Sequence, residues 1–276
     1  MGRSEIEIHD AIEFSLPKPA ERGFDFPVDD WGNIPKIISA MNRVVADFHK
    51  YFLILLFPIT MASHAETRLS DIDTSRIPQK TIRKFLKDQG ELGITCFEDF
   101  RPSVDETTDV SRFNFNCHHF HLRQAPATAW QTLLTAQPTR IWQGQIVACG
   151  LVYSPVSRRV IYPGDDYPRL EPGQIFFLEM RILFGLVKFP VCLVVTKVDP
   201  VQRTITFSYV SSGRSKGEQT IQLIDDGMGG TKIRHSTIHK TGSVIRDKTL
   251  YPIYHRKAIG EVHRNIKRQL DHLDEE

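Results

Sequence analysis

Residues 189–225 read FPVCLVVTKVDPVQRTITFSYVSSGRSKGEQTIQLID and contain three strand-like runs separated by two turns. The dipeptide Asp-Pro marks the first turn and a Ser- and Gly-rich segment marks the second, since these residues favour turn geometry. A similar run precedes them at 174–184 (QIFFLEMRILF), and another follows at 231–239 (TKIRHSTIH) after the turn residues DGMGG. These five runs at hairpin spacing predict an antiparallel sheet.

Further strands and three helices are predicted on either side of this sheet. One strand is predicted at 111–122 (SRFNFNCHHFHL), where successive side chains fall on alternate faces, and another at 144–154 (GQIVACGLVYS), which is an apolar run. Apolar residues at helical spacing predict helices over 78–89, about 126–136 and about 244–273. The order predicts an α+β fold in which a curved antiparallel sheet wraps around a long C-terminal helix.

This order resembles the helix-grip fold of the START-like (SRPBCC) superfamily, which includes polyketide cyclases, pollen-allergen-like proteins and lipid-transfer domains. The C-terminal half is similar to an uncharacterised START-like family of bacteria and plants, through FPVCLVVTKVD, FSYVSSGRSKGEQTIQL, DGMGGTKIRHST and LYPIYHRKAIGEV. The resemblance covers about 111–275 and implies an internal apolar cavity, without implying an activity. The matching positions are Tyr209, Gly213, Gly217, Glu218, Tyr251, Pro252 and His255.

The most apolar stretch lies at 51–62, a run of 12 residues that contains Pro58. It is too short for a membrane-spanning helix, which needs roughly 20 apolar residues. Its apolar residues also lack the helical period of an amphipathic helix that packs one face against a core. A secretory signal peptide, an uncleaved N-terminal anchor and a core helix are the three interpretations, and the first fits best.

A start at Met41 gives this signal peptide a basic n-region with Arg43 and Lys50, ahead of an apolar h-region of the usual ~7–15 residues. Small residues at Ser63 and Ala65 then predict cleavage after Ala65. We therefore expect a signal peptide at 41–65 and export to the periplasm or outside the cell. Residues 1–40 contain scattered prolines and acids without a sustained period, and we interpret them as an over-extended, weakly structured start.

The exported body divides into an N-terminal helix and linker at 66–110 and a START-like domain at 111–276. The 276-residue chain carries a net charge of +2, which does not favour nucleic-acid binding. In an oxidising compartment its four cysteines permit one or two disulfides, and buried free thiols are the alternative. The pairing stays open for Cys96, Cys117, Cys149 and Cys192.

On the first predicted strand His119 and His121 share a face, and a metal site there would take a further ligand from His235 or His239 on another strand. Hydrogen-bonded histidines on a half-exposed strand are the favoured alternative. The sequence has no C-x-x-C and no H-E-x-x-H motif, so neither a metal nor a cofactor is predicted.

Glu179 and Arg181 interrupt an apolar strand on one face, and buried charges persist only when they are paired. They are either a pair that grips a polar ligand head at the cavity floor or a salt bridge on a solvent face. His119 and Glu179 are the weak candidates for catalysis. The candidate ligand-binding residues are Arg181, Glu179, His119, Tyr209, Phe115 and Phe177.

The C-terminal end is basic, because 231–268 contains ten Lys/Arg against Asp247 and Glu261. Such a surface favours an anionic membrane, although a solvated helix face is the default. The leading hypothesis is an exported protein that binds an apolar small molecule or lipid in an internal cavity, with no assigned catalysis. The alternatives are a cyclase- or hydrolase-like enzyme that uses a cavity His or Glu, and an envelope interaction protein that uses the basic helix face.

Overall fold

The computed structural model describes residues 66–244 and 246–273. The expected weakly structured start at 1–40 and the expected signal peptide at 41–65 lie outside the described residues. Within the described part of the chain, no helix is long and apolar enough to cross a bilayer.

The described chain forms one eight-stranded antiparallel sheet, in the order β1-β8-β7-β6-β5-β4-β2-β3. The strands are β1 (Asn114–Leu122), β2 (Val147–Ser154), β3 (Arg159–Ile161), β4 (Ile175–Ile182), β5 (Val187–Asp199), β6 (Thr204–Tyr209), β7 (Lys216–Asp225) and β8 (Thr231–Lys240). The helices are α1 (Lys80–Glu91), α2 (Pro126–Thr135), α3 (Pro138–Ile141) and α4 (Tyr251–Leu273). The predicted α+β helix-grip arrangement, a curved antiparallel sheet with a long C-terminal helix, is therefore confirmed.

One face of the sheet, the inner face, packs against α2, α3 and α4. The stripe predicted for the last helix makes this contact, since Ile259, Val262, Ile266 and Leu270 are all buried. The continuous helix begins at Tyr251, next to Pro252, where the sequence indicates that it starts, and a five-residue π-helical segment at Arg246–Leu250 precedes it. Pro126 occupies the first turn of α2, where its missing N–H costs no hydrogen bond.

The opposite, outer face is covered by 66–110, so this segment is not a linker in the structure. Its side chains form a second core with strand residues, in which Phe97 stacks on Tyr153 at a ring-centroid distance of 4.2 Å. The sheet is thus covered on both sides here. All eight residues of β2 are buried for this reason, which explains why its sequence reads as a continuous apolar run.

Gly217 lies at a close approach of two strands and explains one position of the START-like resemblance. Its φ is +140°, and a Cβ there would lie 2.0 Å from the carbonyl oxygen of Ile238 on β8. A side chain would therefore push the β7–β8 ladder apart.

The four cysteines are free thiols in the structure. Cys149 belongs to the inner core and Cys192 to the outer core, so the sheet separates these two side chains. Burial raises the pKa of Cys149 to about 12 and the pKa of Cys96 to about 11, which keeps both protonated near neutral pH.

Candidate functional site

Strand β1 presents alternate residues to the two faces of the sheet, as its sequence predicts. Phe120 packs against the inner core and His118 lies opposite His235 of β8, so the even-numbered residues face inward. His119 and Phe115 belong to the outward set and are exposed, Phe115 with 66% of its surface in solvent. Both candidates therefore point away from the interior where the sequence hypothesis placed them.

Glu179, Arg181 and Phe177 lie on the outer face of β4, beneath α1. The Glu179 carboxylate accepts a hydrogen bond from Thr81 Oγ1 at 2.7 Å and pairs with Arg181 Nε at 2.9 Å. Phe177 packs in the outer core. The two charges are therefore a pair beneath α1, outside the inner cavity, and this position does not provide a general acid or base there.

Tyr209 is the member of the candidate set that reaches the interior. It is the last residue of β6, and its hydroxyl lies 2.7 Å from the hydroxyl of Tyr251 at the start of α4. Burial raises the pKa of Tyr209 to about 12. The six candidate ligand-binding residues thus do not form one site, since one faces the interior and five face outward.

Around Tyr209 the structure brings together a set of buried polar side chains from β6, β7, β8 and α4. Four of them are histidines, each exposed by 8% or less. We call this set the histidine–tyrosine cluster, and its members are Tyr209, Gln219, His235, Thr237, His239, Tyr251, His255 and His263.

Hydrogen bonds connect the deepest members of this cluster. Nδ1 of His235 lies 2.9 Å from Nε2 of His263, and Nε2 of His235 lies 3.2 Å from the amide oxygen of Gln219. Because that amide oxygen accepts, the proton of a neutral His235 resides on Nε2, and His263 donates from its own Nε2. This leaves Nδ1 of His263 as a bare acceptor.

Stacking completes the cluster at the start of α4. The ring of Tyr251 stacks on His239 at a centroid distance of 3.6 Å and on His255 at 4.9 Å. Nε2 of His255 lies 3.4 Å from Thr237 Oγ1. Among the described residues, Nδ1 of His255 and Nδ1 of His263 are buried without a hydrogen-bond partner.

The histidines are neutral in this environment. Burial lowers the pKa of His235 and His255 well below the ordinary value, and it lowers the pKa of His263 to about 3. The pKa of His239 is also lowered by burial, against a smaller opposing effect of Asp247. A buried neutral imidazole with a free Nδ1 accepts a hydrogen bond from a hydroxyl or an N–H group.

An apolar region adjoins this cluster between the sheet and α4. It contains a cavity of about 20 Å³, which is room for about one water molecule. Aliphatic and aromatic side chains line it, and Trp142 is the half-buried residue among its four aromatic ones. The principal lining residues are Leu133, Trp142, Tyr167, Phe176, Phe207 and Val262.

The sequence contained a signal for this cluster that its individual residues did not reveal. Tyr251 and His255 continue the four-residue steps of the apolar stripe of α4 backward from Ile259. His235 and His239 follow Ile233 at even spacing, so all three lie on the inner face of β8. These polar residues lie on the core-facing sides of α4 and β8. Their positions in the sequence therefore indicate that they meet in the same interior.

Two other sequence features have a clear position. In the described part of the chain, no group of three or more His, Cys, Asp or Glu side chains is arranged to hold a metal ion. The basic residues predicted for the last helix lie on its solvent face. They are Arg256, Lys257, Arg264, Lys267 and Arg268.

Fold and site together define a helix-grip protein with a nearly filled apolar interior and a neutral polar cluster at one end. No known family model matches the sequence, and no curated protein matches it. Solved structures do match: a norcoclaurine synthase from Thalictrum flavum is 15% identical, with 58% of this chain and 96% of that chain covered and a TM-score of 0.42.

Two further solved structures show the same level of similarity. Major latex-like protein 151 from Panax ginseng is 12% identical, with 57% of this chain and 97% of that chain covered and a TM-score of 0.42. A protein from Thermus thermophilus is 9% identical, with 56% of this chain and 95% of that chain covered and a TM-score of 0.43. The fold assignment above depends on this chain's own strand order and helix packing.

Proposed function

We propose that this protein binds an amphipathic small molecule in its interior. The apolar body of the ligand lies among the aromatic residues under α4, and its hydrogen-bonding head lies at the histidine–tyrosine cluster. The observation that carries this proposal is the pair of buried Nδ1 atoms of His255 and His263, which lack partners within the described residues. An unsatisfied buried polar atom costs about 1–3 kcal/mol, and a ligand hydroxyl would satisfy it.

Binding requires the interior to open. A small-molecule site usually encloses roughly 300–1,000 Å³, far more than the cavity of about 20 Å³ found here. Trp142 lines this cavity and is half-buried, in the connection from α3 to β2. Rotation of its side chain away from Phe176 and Phe207 is the opening movement that we propose, since it leaves the sheet intact.

The first test uses the full chain, 2-naphthol as the probe and naphthalene as its match without the hydroxyl. We expect saturable binding of 2-naphthol by isothermal titration and about tenfold weaker binding of naphthalene, since one hydrogen bond is worth about 1 kcal/mol or more. His255→Leu and His263→Leu should reduce this preference for the hydroxyl. A preference that persists in both variants would place the ligand head elsewhere.

A second test locates the apolar body of the ligand. Ile221→Trp fills the inner face of β7, whereas Ile224→Trp places the same group on the exposed outer face of the same strand. Only the inner variant should lose binding. Circular dichroism establishes that both variants are folded, and equal binding by both would contradict an interior site.

A second candidate function is acid–base catalysis on the same ligand. The neutral His263 has an Nδ1 without a proton or a hydrogen-bond partner, which is the state that a general base needs near neutral pH. The sequence candidates His119 and Glu179 do not reach this region. Native mass spectrometry distinguishes the two functions, because a binding protein returns its ligand with an unchanged mass and an enzyme does not.

We also propose that the protein is exported through the signal peptide at 41–65. The support is the apolar run at 51–62 between a basic segment and small residues at the cleavage site. N-terminal sequencing of the natural protein should give a mature start at Glu66. A start at Met1 or Met41 would overturn export with cleavage.

A further inference from the structure

The turn between β4 and β5 carries a concentrated set of exposed apolar side chains. Phe184 and Leu186 have 108% and 85% of their surface in solvent, and Leu183 and Val187 have 48% and 42%. We call 183–187 the β4–β5 tip. Large apolar side chains adjacent in sequence and exposed together usually mark an interaction site.

The backbone of this tip is unfavourable for the residues it contains. Leu183 and Phe184 have φ values of +51° and +57°, in the left-handed region that bulky residues rarely adopt. Only Gly185, the next residue, tolerates its φ of +83° easily. The conformation turns the two side chains outward, where no packing within the described chain offsets the strain.

The tip extends beyond its neighbouring strand. The last β5–β6 pair is Leu193 with Tyr209, and β5 begins six residues earlier at Val187. Six extended residues span about 20 Å. On the β4 side the pairing continues to Arg181, whose N–H donates to the carbonyl of Ile146 at 2.7 Å, two residues before the tip begins. The apolar side chains therefore extend beyond β6 on one side and lie at the end of the β2–β4 pairing on the other, where they are exposed.

Positive charge surrounds the base of the tip. Arg181 and Lys188 lie directly opposite each other across β4 and β5, although like charges at such positions destabilise a ladder. Glu179 pairs with Arg181, and Lys188 forms no ion pair with the described residues. The neighbouring β6–β7 turn at 211–215 contributes Arg214 and contains no acid.

Further apolar and basic residues lie at the same end of the sheet. Helix α4 begins there, since the hydroxyl of Tyr251 meets the hydroxyl of Tyr209 at the end of β6. Next to this point Leu250 and Ile253 are 44% and 47% exposed, and Lys248 is exposed as well. Apolar residues surrounded by cations are the composition that anionic lipid surfaces bind.

We propose that the β4–β5 tip inserts into the surface of an anionic lipid bilayer, with Lys188 and its neighbouring cations at the headgroups. This inference goes beyond binding in the interior and does not require it. A bilayer fits better than a protein partner, because the apolar residues form an exposed turn instead of a groove and Arg181 and Lys188 stand at its base. The acidic residues of this end, Asp105, Glu106 and Asp109, lie in the segment after Val104, beside the ends of β6 and β8. A second copy of this chain is the competing occupant.

The test uses the full chain and vesicles of phosphatidylcholine with or without about one third phosphatidylglycerol. The tip variant is Phe184→Ser/Leu186→Ser, and the matched control is Val201→Ser/Met228→Ser, which removes two equally exposed residues from other turns. We expect binding to the anionic vesicles that the tip variant weakens about tenfold and the control leaves unchanged. Lys188→Glu should weaken it too, and added salt should weaken the binding of the parent protein.

A second measurement detects insertion even where other parts of the chain hold the protein on vesicles. In a Cys117→Ser background, an environment-sensitive dye on Phe184→Cys should shift to the blue with anionic vesicles, and the same dye on Met228→Cys should not. Equal spectra at the two positions would overturn the proposal. A tip variant that alters the oligomeric state in sedimentation, without altering vesicle binding, would assign the tip to a second copy and overturn it as well.

Discussion

At the residue scale, the carboxylate of Glu261 connects α4 to the start of β2. Its two oxygens accept four hydrogen bonds of 2.8–3.2 Å from the backbone N–H groups of Gln145, Ile146 and Val147. A Cβ at Gly144 would lie 2.2 Å from Cδ of Glu261, so only glycine fits beside the carboxylate. One buried side chain thus fixes the connection that carries Trp142.

Glu261→Gln should therefore destabilise the protein by about 2–4 kcal/mol, because the amide offers one acceptor oxygen and leaves at least one buried N–H group unsatisfied. The measurement is the free energy of unfolding from urea titration followed by circular dichroism. Glu106→Gln is the matched control at an exposed position and should change it by less than about 0.5 kcal/mol. Equal stability of the two variants would contradict the role assigned to Glu261.

Residue roles were the part of the site least accessible from sequence. Alternation on β1 was predicted correctly, but a period of two does not state which set of side chains faces inward. His119 was chosen where the inward positions are His118 and Phe120. Which set of side chains faces inward depends on what packs against each face of the sheet, and this is a property of the tertiary structure.

At the scale of elements, α1 is an integral part of the fold. It packs on the outer face of β4 and β5, and Leu86 at its centre is 4% exposed. The sequence predicted this helix from its amphipathic spacing but grouped it with a linker, since nothing in the spacing identifies the surface that an apolar stripe meets. Both faces of the sheet are consequently buried, and Phe177 and Glu179 face α1 instead of the cavity.

Leu86→Ala should cost about 2–5 kcal/mol in the free energy of unfolding, as expected for truncating a buried leucine. Leu92→Ala is the matched control just after the same helix, where the side chain is 69% exposed, and should have little effect. Urea unfolding followed by the fluorescence of Trp130 and Trp142 gives both values. If Leu86→Ala were as stable as the control, the outer core would be dispensable and 66–110 would be the linker that the sequence suggested.

At the scale of the whole molecule, the order of strands and helices was predictable and the closed interior was not. Turn residues, alternation and apolar runs specified seven strands within a few residues of their bounds, and only the three-residue β3 was missed. The resemblance implied an internal cavity, but the volume left inside depends on how Trp142, Phe176 and Phe207 pack together. Packing of this kind is set jointly by α4, the sheet and the connection to β2.

The histidine–tyrosine cluster gives the whole fold a characteristic dependence on pH. Burial lowers the folded-state pKa of His235, His255 and His263 below their ordinary value near 6.5. The unfolded chain therefore takes up protons first as the pH falls, and the stability that is complete above about pH 6.5 is lost below it. Each histidine that stays neutral contributes a slope of about 1.4 kcal/mol per pH unit, so three contribute about 4.

Just below pH 6.5 the histidines contribute more to this pH dependence than the other titrating groups do. The carboxylates whose pKa is lowered, such as Asp99 and Asp165, lose their contribution only below about pH 4–5. Glu218 has its pKa raised by burial and acts in the opposite direction, becoming more favourable as the pH falls. Its single proton reduces the histidine slope and does not reverse it.

The free energy of unfolding, measured in urea between pH 7.5 and 5.5, should therefore decrease toward acid. His263→Gln should reduce the slope by about one proton, or about 1.4 kcal/mol per pH unit. His119→Gln is the matched control, since that histidine is exposed on β1 and should leave the slope unchanged. A stability that is flat from pH 7.5 to 5.5 would mean that these histidines reach water in the folded protein, because burial is the main cause of their low pKa. Saturating 2-naphthol should stabilise the parent protein throughout this range and stabilise His263→Gln less, which connects the titration of the cluster to the ligand site proposed for it.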